Sequence, residues 1–226
     1  MTTKERCEGI VGWFSQNMPS AETELNYRTP FELLVAVMLS AQCTDRRVNM
    51  TTPALFAAYP TPQAMAGASA EEILRYIKSI SYPNSKAAHL AKTARMLCEE
   101  YGGEVPSDSK QLQRLPGVGR KTANVLGAVL WNREVMPVDT HVFRVAARTG
   151  LSTNARTPLQ TEKQLERRLP SHLLPTAHHW LILHGRYVCT ARAPKCSRCG
   201  IAPWCKHYAA CERAARQTTQ QTNAKK

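Results

Sequence analysis

The chain has 226 residues, of which 43% are hydrophobic and 21% charged, and its formal net charge is +13. This length can bury one large core or two small ones, and the apolar fraction argues against a disordered chain. The charge is one-sided, because residues 1–113 have a net charge of −1 and residues 114–226 a net charge of +14. A surplus confined to one half is typical of proteins that bind a polyanion, and it favours nucleic acid over an anionic membrane.

No segment of the sequence has the pattern of a membrane span or an export signal. The longest apolar stretch, residues 31–43, is too short to cross a bilayer and contains Glu32, Ser40 and Gln42. Residues 1–13 lack an apolar core followed by a cleavage site of small residues. We therefore expect no membrane association and an intracellular, cytoplasmic protein, whose eight cysteines are reduced or metal-bound.

Apolar spacing, caps and breakers predict a succession of helices and no strand, so the expected fold class is all-α. Pro30 opens a nearly all-apolar helix, Ser69 and Glu72 form a capping box, and Asp139 stands at a cap position. The predicted helices cover residues 4–17, 30–42, 45–58, 70–80, 85–100, 107–115, 119–131, 140–149, 158–168 and 172–187. Residues 212–226 are polar and lack apolar periodicity, which predicts a flexible basic tail.

A Gly-rich segment, LPGVGRKTA at 115–123, separates two of these helices. Pro116 ends the first helix, and Gly117 and Gly119 permit positive backbone dihedrals in a tight turn. The second helix then begins with outward-pointing N–H groups and a positive dipole end, which can hold a DNA phosphate whatever the base sequence. A plain helix–helix turn would use the same residue types, but the length of the pattern and its place in the basic half favour the DNA contact.

Four cysteines with the spacing C-x6-C-x2-C-x5-C predict a metal site: Cys189, Cys196, Cys199 and Cys205. A pair of disulfides is disfavoured in the reducing compartment expected for this chain. Four thiolates also suit tetrahedral zinc, although zinc sites usually combine two close cysteine pairs and only one C-x2-C occurs here. One compact loop favours a 4Fe-4S cluster, with zinc as the alternative.

The segment LPGVGRKTA resembles the helix-hairpin-helix motif of the endonuclease III type of DNA glycosylases. The segments LSAQCTD at 39–45, PNSKA at 83–87 and VDTHVFRVA at 138–146, and then the cysteine array, follow the order and spacing of that family. The resemblance implies a two-domain helix-hairpin-helix glycosylase fold with one 4Fe-4S cluster in the cysteine loop. It implies a helical bundle at 23–133, a cluster domain made of 1–22 and 134–211, and a DNA cleft between them.

Lys121 and Asp139 are the candidate catalytic residues. Residue chemistry alone favours a phosphate-contacting role for Lys121, although the helix N-terminus and Arg120 should lower its pKa and so favour a nucleophilic amine. On the same grounds Asp139 is an N-cap. The resemblance makes Lys121 the Schiff-base nucleophile and Asp139 the catalytic carboxylate, facing each other across the cleft. It implies a bifunctional enzyme that removes oxidised pyrimidines and then nicks the abasic site by β-elimination.

The resemblance also implies which residues hold the opened duplex after the base is flipped out. It assigns that task to Gln42 and to loop 81–84, where Tyr82 and Pro83 stand in place of the Leu-Tyr that often precedes Asn-Ser-Lys in the family, and Asn84 begins the Asn-Ser-Lys of this chain. Tyr82 either wedges between bases or only packs within its loop. The other candidate DNA contacts are Gly117, Gly119 and Arg120 in the hairpin, His141 and Arg144 (with a structural role as the alternative), and Lys195 among the cations of the cysteine loop.

Two other functions compete with this assignment. A monofunctional glycosylase of the same superfamily would lack the lysine nucleophile, so Lys121 argues against it, as does the lack of a large C-terminal recognition domain. A non-catalytic iron–sulfur DNA-binding module would fit the charge and the hairpin equally well, and the pairing of Lys121 with Asp139 would then be accidental. The expected partner is double-stranded DNA with a damaged base or an abasic site, and the expected state is a monomer.

Overall fold

The computed structural model describes residues 1–223, and this part of the chain is helical without a β-strand. The α-helices are α1 Thr3–Asn17, α2 Pro30–Ser40, α3 Asp45–Ala58, α4 Pro62–Ala66, α5 Ala70–Ile77, α6 Pro83–Glu100, α7 Ser109–Leu112, α8 Arg120–Trp131, α9 Thr140–Thr149, α10 Pro158–Arg168, α11 Leu174–Tyr187 and α12 Lys206–Asn223. Short 3-10 turns occupy Ser171–Leu173, Cys196–Arg198 and Ala202–Trp204. The all-α prediction is confirmed. Over the same residues, no helix is long and apolar enough to cross a bilayer.

Side-chain caps fix where most of these helices begin. In each case a Ser, Thr or Asp side chain accepts a hydrogen bond from a backbone N–H of the first turn, which satisfies a donor that the helix itself cannot. The capping residues are Thr2, Thr29, Thr44, Thr61, Ser69, Asp108, Asp139 and Thr157. The predicted capping box of Ser69 with Glu72 and the predicted cap at Asp139 are both confirmed.

Several predicted helix boundaries were wrong; for example, α2 ends at Ser40 rather than residue 42, and α5 ends at Ile77 rather than residue 80. Helix α6 begins at Pro83 rather than residue 85, because proline at the first helical position needs no N–H partner. Helix α7 is one turn long instead of spanning 107–115, and a 3-10 turn precedes α11. The short helix α4 was not predicted at all.

The C-terminal segment is helical further than its composition suggested. No helix was predicted after residue 211, whereas α12 continues through Asn223. Alanine, glutamate, arginine and glutamine are good helix formers, and Glu212 pairs with Arg216 one turn later at 3.9 Å. The flexibility of this segment stays a prediction, and residues 224–226 lie outside the described part.

The chain divides into two compact units. One unit, Thr23–Arg133, is continuous and is called the bundle unit here. The other combines Met1–Glu22 with the chain from Glu134 onward and is called the cysteine unit. Each unit has a hydrophobic core of its own.

The core of the bundle unit is aliphatic and is built around α2. Every residue of α2 from Phe31 to Leu39 is buried, which explains why the sequence there is almost continuously apolar. Glu32 is the one charged residue in this run. Its buried carboxylate accepts a hydrogen bond from the backbone N–H of Arg28 at 2.6 Å, so the carboxylate has a partner. Helix α6 packs against α4 and α5 on the other side of this core.

The core of the cysteine unit is richer in aromatic and imidazole rings. Phe14 of α1 stacks on Trp180 of α11 with ring centroids 5.6 Å apart and meets His184 edge-on at 5.5 Å. Helices α9 and α11 approach closely at Gly185, where an added Cβ would lie 2.9 Å from the Cβ of His141. The N-terminal helix is therefore an integral part of this core.

Candidate functional site

The Gly-rich turn before α8 is fixed by contacts with α6. Gly117 has φ +81°, a conformation that strains any residue with a Cβ, and an added Cβ would lie 2.9 Å from Nδ1 of His89. The hydroxyl of Thr93 donates to the carbonyl of Pro116 at 3.0 Å. The backbone N–H of Val118 closes the turn on the carbonyl of Leu115 at 3.0 Å.

Gly119 contributes to the turn in a different way from Gly117. Both glycines permit positive dihedrals, but only Gly117 adopts one, since the φ of −90° and ψ of 178° at Gly119 are ordinary extended backbone. Gly119 is the N-cap of α8 and provides no side-chain cap, and an added Cβ would meet no atom within 4 Å. The structure therefore leaves space beside the N-terminus of α8. Arg120 and Lys121 lie in the first turn of this helix, and both are exposed.

Asp139 caps the helix that follows the VDT sequence. Its Oδ1 accepts a hydrogen bond from the backbone N–H of Val142 at 2.8 Å, which fixes the carboxylate at the N-terminus of α9. The side chain is half-buried, while Pro137 and Val138 before it are buried. The cap role is thus compatible with a further role for the carboxylate.

Two strained backbone positions coincide with the residues predicted to hold opened DNA. Outside glycine, positive φ occurs within residues 1–223 at Gln42, Tyr82, Asn132 and Asn154. Asparagine adopts this region at little cost, whereas Gln42 at φ 54° and Tyr82 at φ 55° do not. Both of these residues are exposed, Tyr82 to 65%. Such outliers are concentrated at functional sites.

Tyr82 and Asn84 lie at the start of α6. Tyr82 occupies the N-cap position without a side-chain cap bond, and its carbonyl accepts from the hydroxyl of Ser85 at 3.3 Å. Asn84 is exposed in the first helical turn. Helices α6 and α8 therefore both begin without a side-chain cap, unlike the helices capped by Ser, Thr or Asp.

Arg144 is built into the cysteine unit. Its guanidinium donates to the carbonyl of Gly185 at 2.9 Å and to the carbonyl of Cys189 at 3.2 Å, and its Nη2 lies 3.2 Å from Nδ1 of His141. These contacts join α9 to the end of α11 and to the start of the cysteine loop. They support the structural alternative for Arg144, while phosphate contacts by His141 and Arg144 stay predictions.

The four cysteines of the array line one cavity in the loop between α11 and α12. The cavity has an empty volume of about 330 Å³, part of it open to solvent, and Thr149, His184 and Ile201 also line it. Burial raises the pKa of the Cys199 thiol to about 11, and it also raises the pKa values of Cys196 and Cys205. Each of the four thiols interacts electrostatically with the other three. Holding these four groups as thiolates would therefore require positive charge in the cavity.

Side chains from α9 and α11 surround this cavity. Arg148 donates to the Sγ of Cys189 at 3.6 Å and to the carbonyls of Thr190 and Ala191, while its own carbonyl accepts from Cys205. His184 Nε2 lies 3.6 Å from the Sγ of Cys199, and burial lowers the pKa of this histidine to about 4. The imidazole is therefore neutral at pH 7.

Helix α1 supports the loop from a second side. An added Cβ on Gly9 would overlap the indole of Trp204, and one on Gly200 would overlap the indole of Trp13. Arg6 donates to the carbonyl of Trp204 at 2.9 Å. The cations of the loop region are exposed: Arg192, Lys195, Arg198 and Lys206.

Comparison with known proteins agrees with the sequence pattern. Residues 35–171 match the family described as HhH-GPD superfamily base excision DNA repair protein. Endonuclease III of Rickettsia conorii (strain ATCC VR-613 / Malish 7) is 49% identical over 195 residues, which cover 86% of this chain and 92% of that protein. The chain belongs to the endonuclease III family.

Two further comparisons extend this likeness over nearly the whole chain. Endonuclease III of Escherichia coli (strain K12) is 46% identical over 207 residues, which cover 92% of this chain and 97% of that protein. A solved endonuclease III, trapped as a covalent intermediate with DNA, has a TM-score of 0.87 and 40% identity and covers 93% of this chain and 99% of that one.

In this endonuclease III family member, the sequence reasoning named the exposed candidates but missed the residues that support them. The missed residues are Gly9, Lys86, His89, Thr93, Arg148, His184 and Gly200. They lie on helices or beside aromatic rings, and their spacing alone has no signature. One signal was available, because Lys86 belongs to the PNSKA segment at 83–87.

Proposed function

We propose that this protein is a base excision repair enzyme that removes oxidised pyrimidines from DNA and nicks the abasic site. The observation that carries the proposal is the position of Lys121, in the first turn of α8 directly after the uncapped Gly-rich turn. The membership of the chain in the endonuclease III family supports it, as does the likeness to an endonuclease III caught in a covalent intermediate with DNA.

Lys121 is the proposed nucleophile. Its uncharged amine attacks the anomeric carbon of the damaged nucleotide, the bond to the base breaks, and the base leaves with the bonding electrons. The sugar ring opens to a Schiff base that joins the amine to C1′. Loss of the proton at C2′ then expels the 3′-phosphate, which is the β-elimination that cuts the strand.

Asp139 is the proposed catalytic carboxylate. Because the N-terminus of α9 holds its Oδ1 at 2.8 Å from a backbone N–H, the side chain is positioned before DNA binds. The carboxylate would assist the loss of a proton from the lysine and stabilise the positive charge that develops on the sugar.

Double-stranded DNA with a damaged base or an abasic site is the proposed partner. Backbone groups of the turn at Gly117 and Gly119, together with Arg120, would hold a phosphate without reading the bases. Gln42, Tyr82 and Asn84 would occupy and flank the gap left by the extruded base. Lys195 and the neighbouring exposed cations would contact a second phosphate, which agrees with the net charge of +14 in residues 114–226.

The four cysteines of the array fit a 4Fe-4S cluster better than a single metal ion. Within residues 1–223, no three His, Cys, Asp or Glu side chains are placed to hold one metal ion. A cubane cluster is bound by one cysteine per iron, and the four cysteines that line one cavity here supply that number of ligands. When bound, the cluster would supply the positive charge that the buried thiolates need and would brace the loop that carries Lys195.

Borohydride trapping on a duplex with one abasic site tests the nucleophile. Wild type should form a covalent adduct, whereas Lys121→Ala and Lys121→Arg should form none, because a guanidinium keeps the charge but does not form the Schiff base. Lys110→Ala, which alters an exposed lysine of α7, is the matched control and should trap like wild type.

The outcomes separate the competing functions. An adduct with Lys121→Ala would assign the nucleophile to another amine. A wild-type protein that does not trap this duplex but releases the base from a second duplex with one oxidised pyrimidine would be a monofunctional glycosylase. A protein that binds both duplexes with neither reaction would be a binding module. The cytoplasmic location and the monomeric state stay predictions.

A further inference from the structure

Helix α6 contacts every element of the bundle unit that the proposed function brings to DNA. Tyr82, Lys86, His89 and Thr93 follow one another at intervals of four, three and four residues, so they lie on one face of the helix. This set is called the α6 face here. Tyr82 begins the helix, Lys86 reaches the end of α2, and His89 and Thr93 reach the Gly-rich turn.

Lys86 joins α6 to the loop that carries Gln42. Its ammonium donates to the carbonyl of Leu39 at 2.7 Å and to the carbonyl of Ala41 at 2.6 Å. The carbonyls at the end of a helix lack intrahelical partners, and here the lysine replaces those partners. The carbonyl of Ser40 has a different partner, because it accepts a hydrogen bond from the backbone N–H of Cys43 at 3.0 Å. Gln42 is therefore held in its strained conformation between two anchored residues.

Lys86 is buried although its side chain ends in an ammonium group. The residue is only 8% exposed, although a charged lysine loses hydration when it is buried. Burial lowers the pKa of this ammonium, and the nearby Cys43 thiol opposes that effect. Because burial of an ammonium costs free energy, the two hydrogen bonds to the carbonyls of Leu39 and Ala41 are what keep Lys86 in this position.

His89 and Thr93 hold the Gly-rich turn in the same manner. The imidazole of His89 packs where a Cβ on Gly117 would stand, and the Thr93 hydroxyl, whose residue is 1% exposed, donates to the carbonyl of Pro116 at 3.0 Å. The same helix face thus ends at the turn that leads into Lys121.

We propose that Lys86 and Thr93 are positioning residues, through which the α6 face sets the spacing of Tyr82, the Gln42 loop and the Gly-rich turn before DNA binds. This inference deepens the proposed function and rests on it. Lys86 positions the Gln42 loop, which holds the opened duplex, and Thr93 positions the Gly-rich turn, which holds a phosphate. Substitutions of the two residues should therefore impair different steps.

Nicking rates on duplex and single-stranded DNA with one abasic site test the role of Lys86. Hydrogen bonds from a charged group are strong, so Lys86→Met should lower the duplex rate about tenfold or more. The single-strand rate should change by less than about twofold, because no partner strand has to be held. Lys86→Arg should recover part of the duplex rate, and Lys92→Met, at an exposed position of the same helix, should match wild type.

Hydrogen exchange of the amides of residues 41–44 gives a readout independent of chemistry. Exchange should rise in Lys86→Met and not in Lys92→Met. Equal loss of the two nicking rates, or unchanged exchange at 41–44, would overturn the role of Lys86. A wild-type protein that forms no trapped adduct would reject the proposed function alone, since the exchange result would still decide whether Lys86 fixes this loop.

Thr93→Val keeps the shape of the side chain but removes the hydrogen bond to Pro116. It should weaken binding of duplex and single-stranded DNA alike, by about threefold to tenfold, and Thr93→Ser should restore it. Unchanged affinity in Thr93→Val would overturn this half of the inference. If Lys86→Met does not fold, the Thr93→Val measurement still tests the inference, because it does not depend on that variant.

Discussion

The bundle unit and the cysteine unit are stabilised in different ways. The bundle unit has a long aliphatic core in which α2 is buried on all sides, and its functional candidates lie on strained or uncapped backbone at the ends of helices. The core of the cysteine unit is also mostly aliphatic but includes the stacked rings of Phe14 and Trp180, and its loop from Val188 to Cys205 has only one buried residue, Ile201. The bundle unit therefore positions its functional candidates by packing and by hydrogen bonds between its helices, whereas the cysteine loop is little buried.

The difference also separates the proposed chemical roles. Lys121 and the DNA-holding residues Gln42 and Tyr82 belong to the bundle unit, while Asp139 and the four array cysteines belong to the cysteine unit. A substitution in one unit should therefore change its own function and stability with little effect on the fold of the other.

Loss of a cysteine ligand should have the largest effect on stability. Binding of a metal group supplies much of the folding free energy of small cysteine sites, so Cys199→Ser should cost the cysteine unit several kcal/mol. Hydrogen exchange should show lost protection in residues 188–205 and retained protection in α2. Cys98→Ser, a thiol of the bundle unit outside the array, is the control. Equal loss of protection in both units would contradict the separation.

Asp139→Asn should have the next largest effect, and on rate alone. Asparagine caps helices about as well as aspartate, so the fold is retained while the carboxylate is lost, and the rate of base release should fall about 10²- to 10⁴-fold. Asp139→Ala should in addition lose about 1 kcal/mol through the missing cap. Single-turnover rates and thermal melts of the two variants distinguish these effects. An Asp139→Asn variant with nearly normal rate would remove the carboxylate from the mechanism.

The two glycines of the turn should respond differently to substitution. Gly117→Ala places a Cβ in the left-handed region and 2.9 Å from His89, so we expect a loss of about 1–2 kcal/mol or more in the stability of the bundle unit. Gly119→Ser meets open space and adds a capping hydroxyl, so stability should stay within about 0.5 kcal/mol of wild type. DNA binding by Gly119→Ser should nevertheless weaken if a phosphate occupies that space. Chemical denaturation measures the stability of both variants, and binding titrations measure their affinity for DNA. Similar losses of stability in the two variants would contradict the different roles of the two glycines.

The smallest expected effect is a pH dependence of the cysteine unit. Burial, followed by the charge of Arg186, lowers the pKa of His179 to about 4 from the ordinary value of 6.5. The unfolded chain therefore binds a proton as the pH falls below 6.5, while the folded chain binds it only near pH 4. Between about pH 7.5 and 5.5 this should remove about 1 kcal/mol of unfolding free energy.

His179→Gln isolates that contribution. The variant should lose about 1 kcal/mol less than wild type over the same pH interval, because its side chain does not titrate. Exchange-derived stabilities of α11 are the measurement, with α2 as the reference in the bundle unit. An identical pH dependence in the two proteins would show that His179 is not the group responsible.

The sequence predicted the helical class and the helices with clear caps or continuous apolar spacing. The predicted limits of α3, α9 and α10 agree with the structure, because Pro, Gly, Thr and Asp mark their ends locally. It predicted less well where several weak preferences compete, as at α4, α7 and α12. The catalytic roles of Lys121 and Asp139 came from the family resemblance, since the residues alone favoured a phosphate contact and a helix cap.

Residues close together in the chain account for the helical fold class, the Gly-rich turn, the cap at Asp139 and the four-cysteine array. The residues that support these features reach them only through tertiary packing. Lys86 is separated from Leu39 by 47 positions, and Arg148 from Cys189 by 41. Likewise, the loop that carries Gln42 at positive φ is held by Lys86, which donates to the carbonyl of Ala41 from a distant helix. Local sequence patterns do not predict such partners, because burial and long-range hydrogen bonds form only when the helices pack.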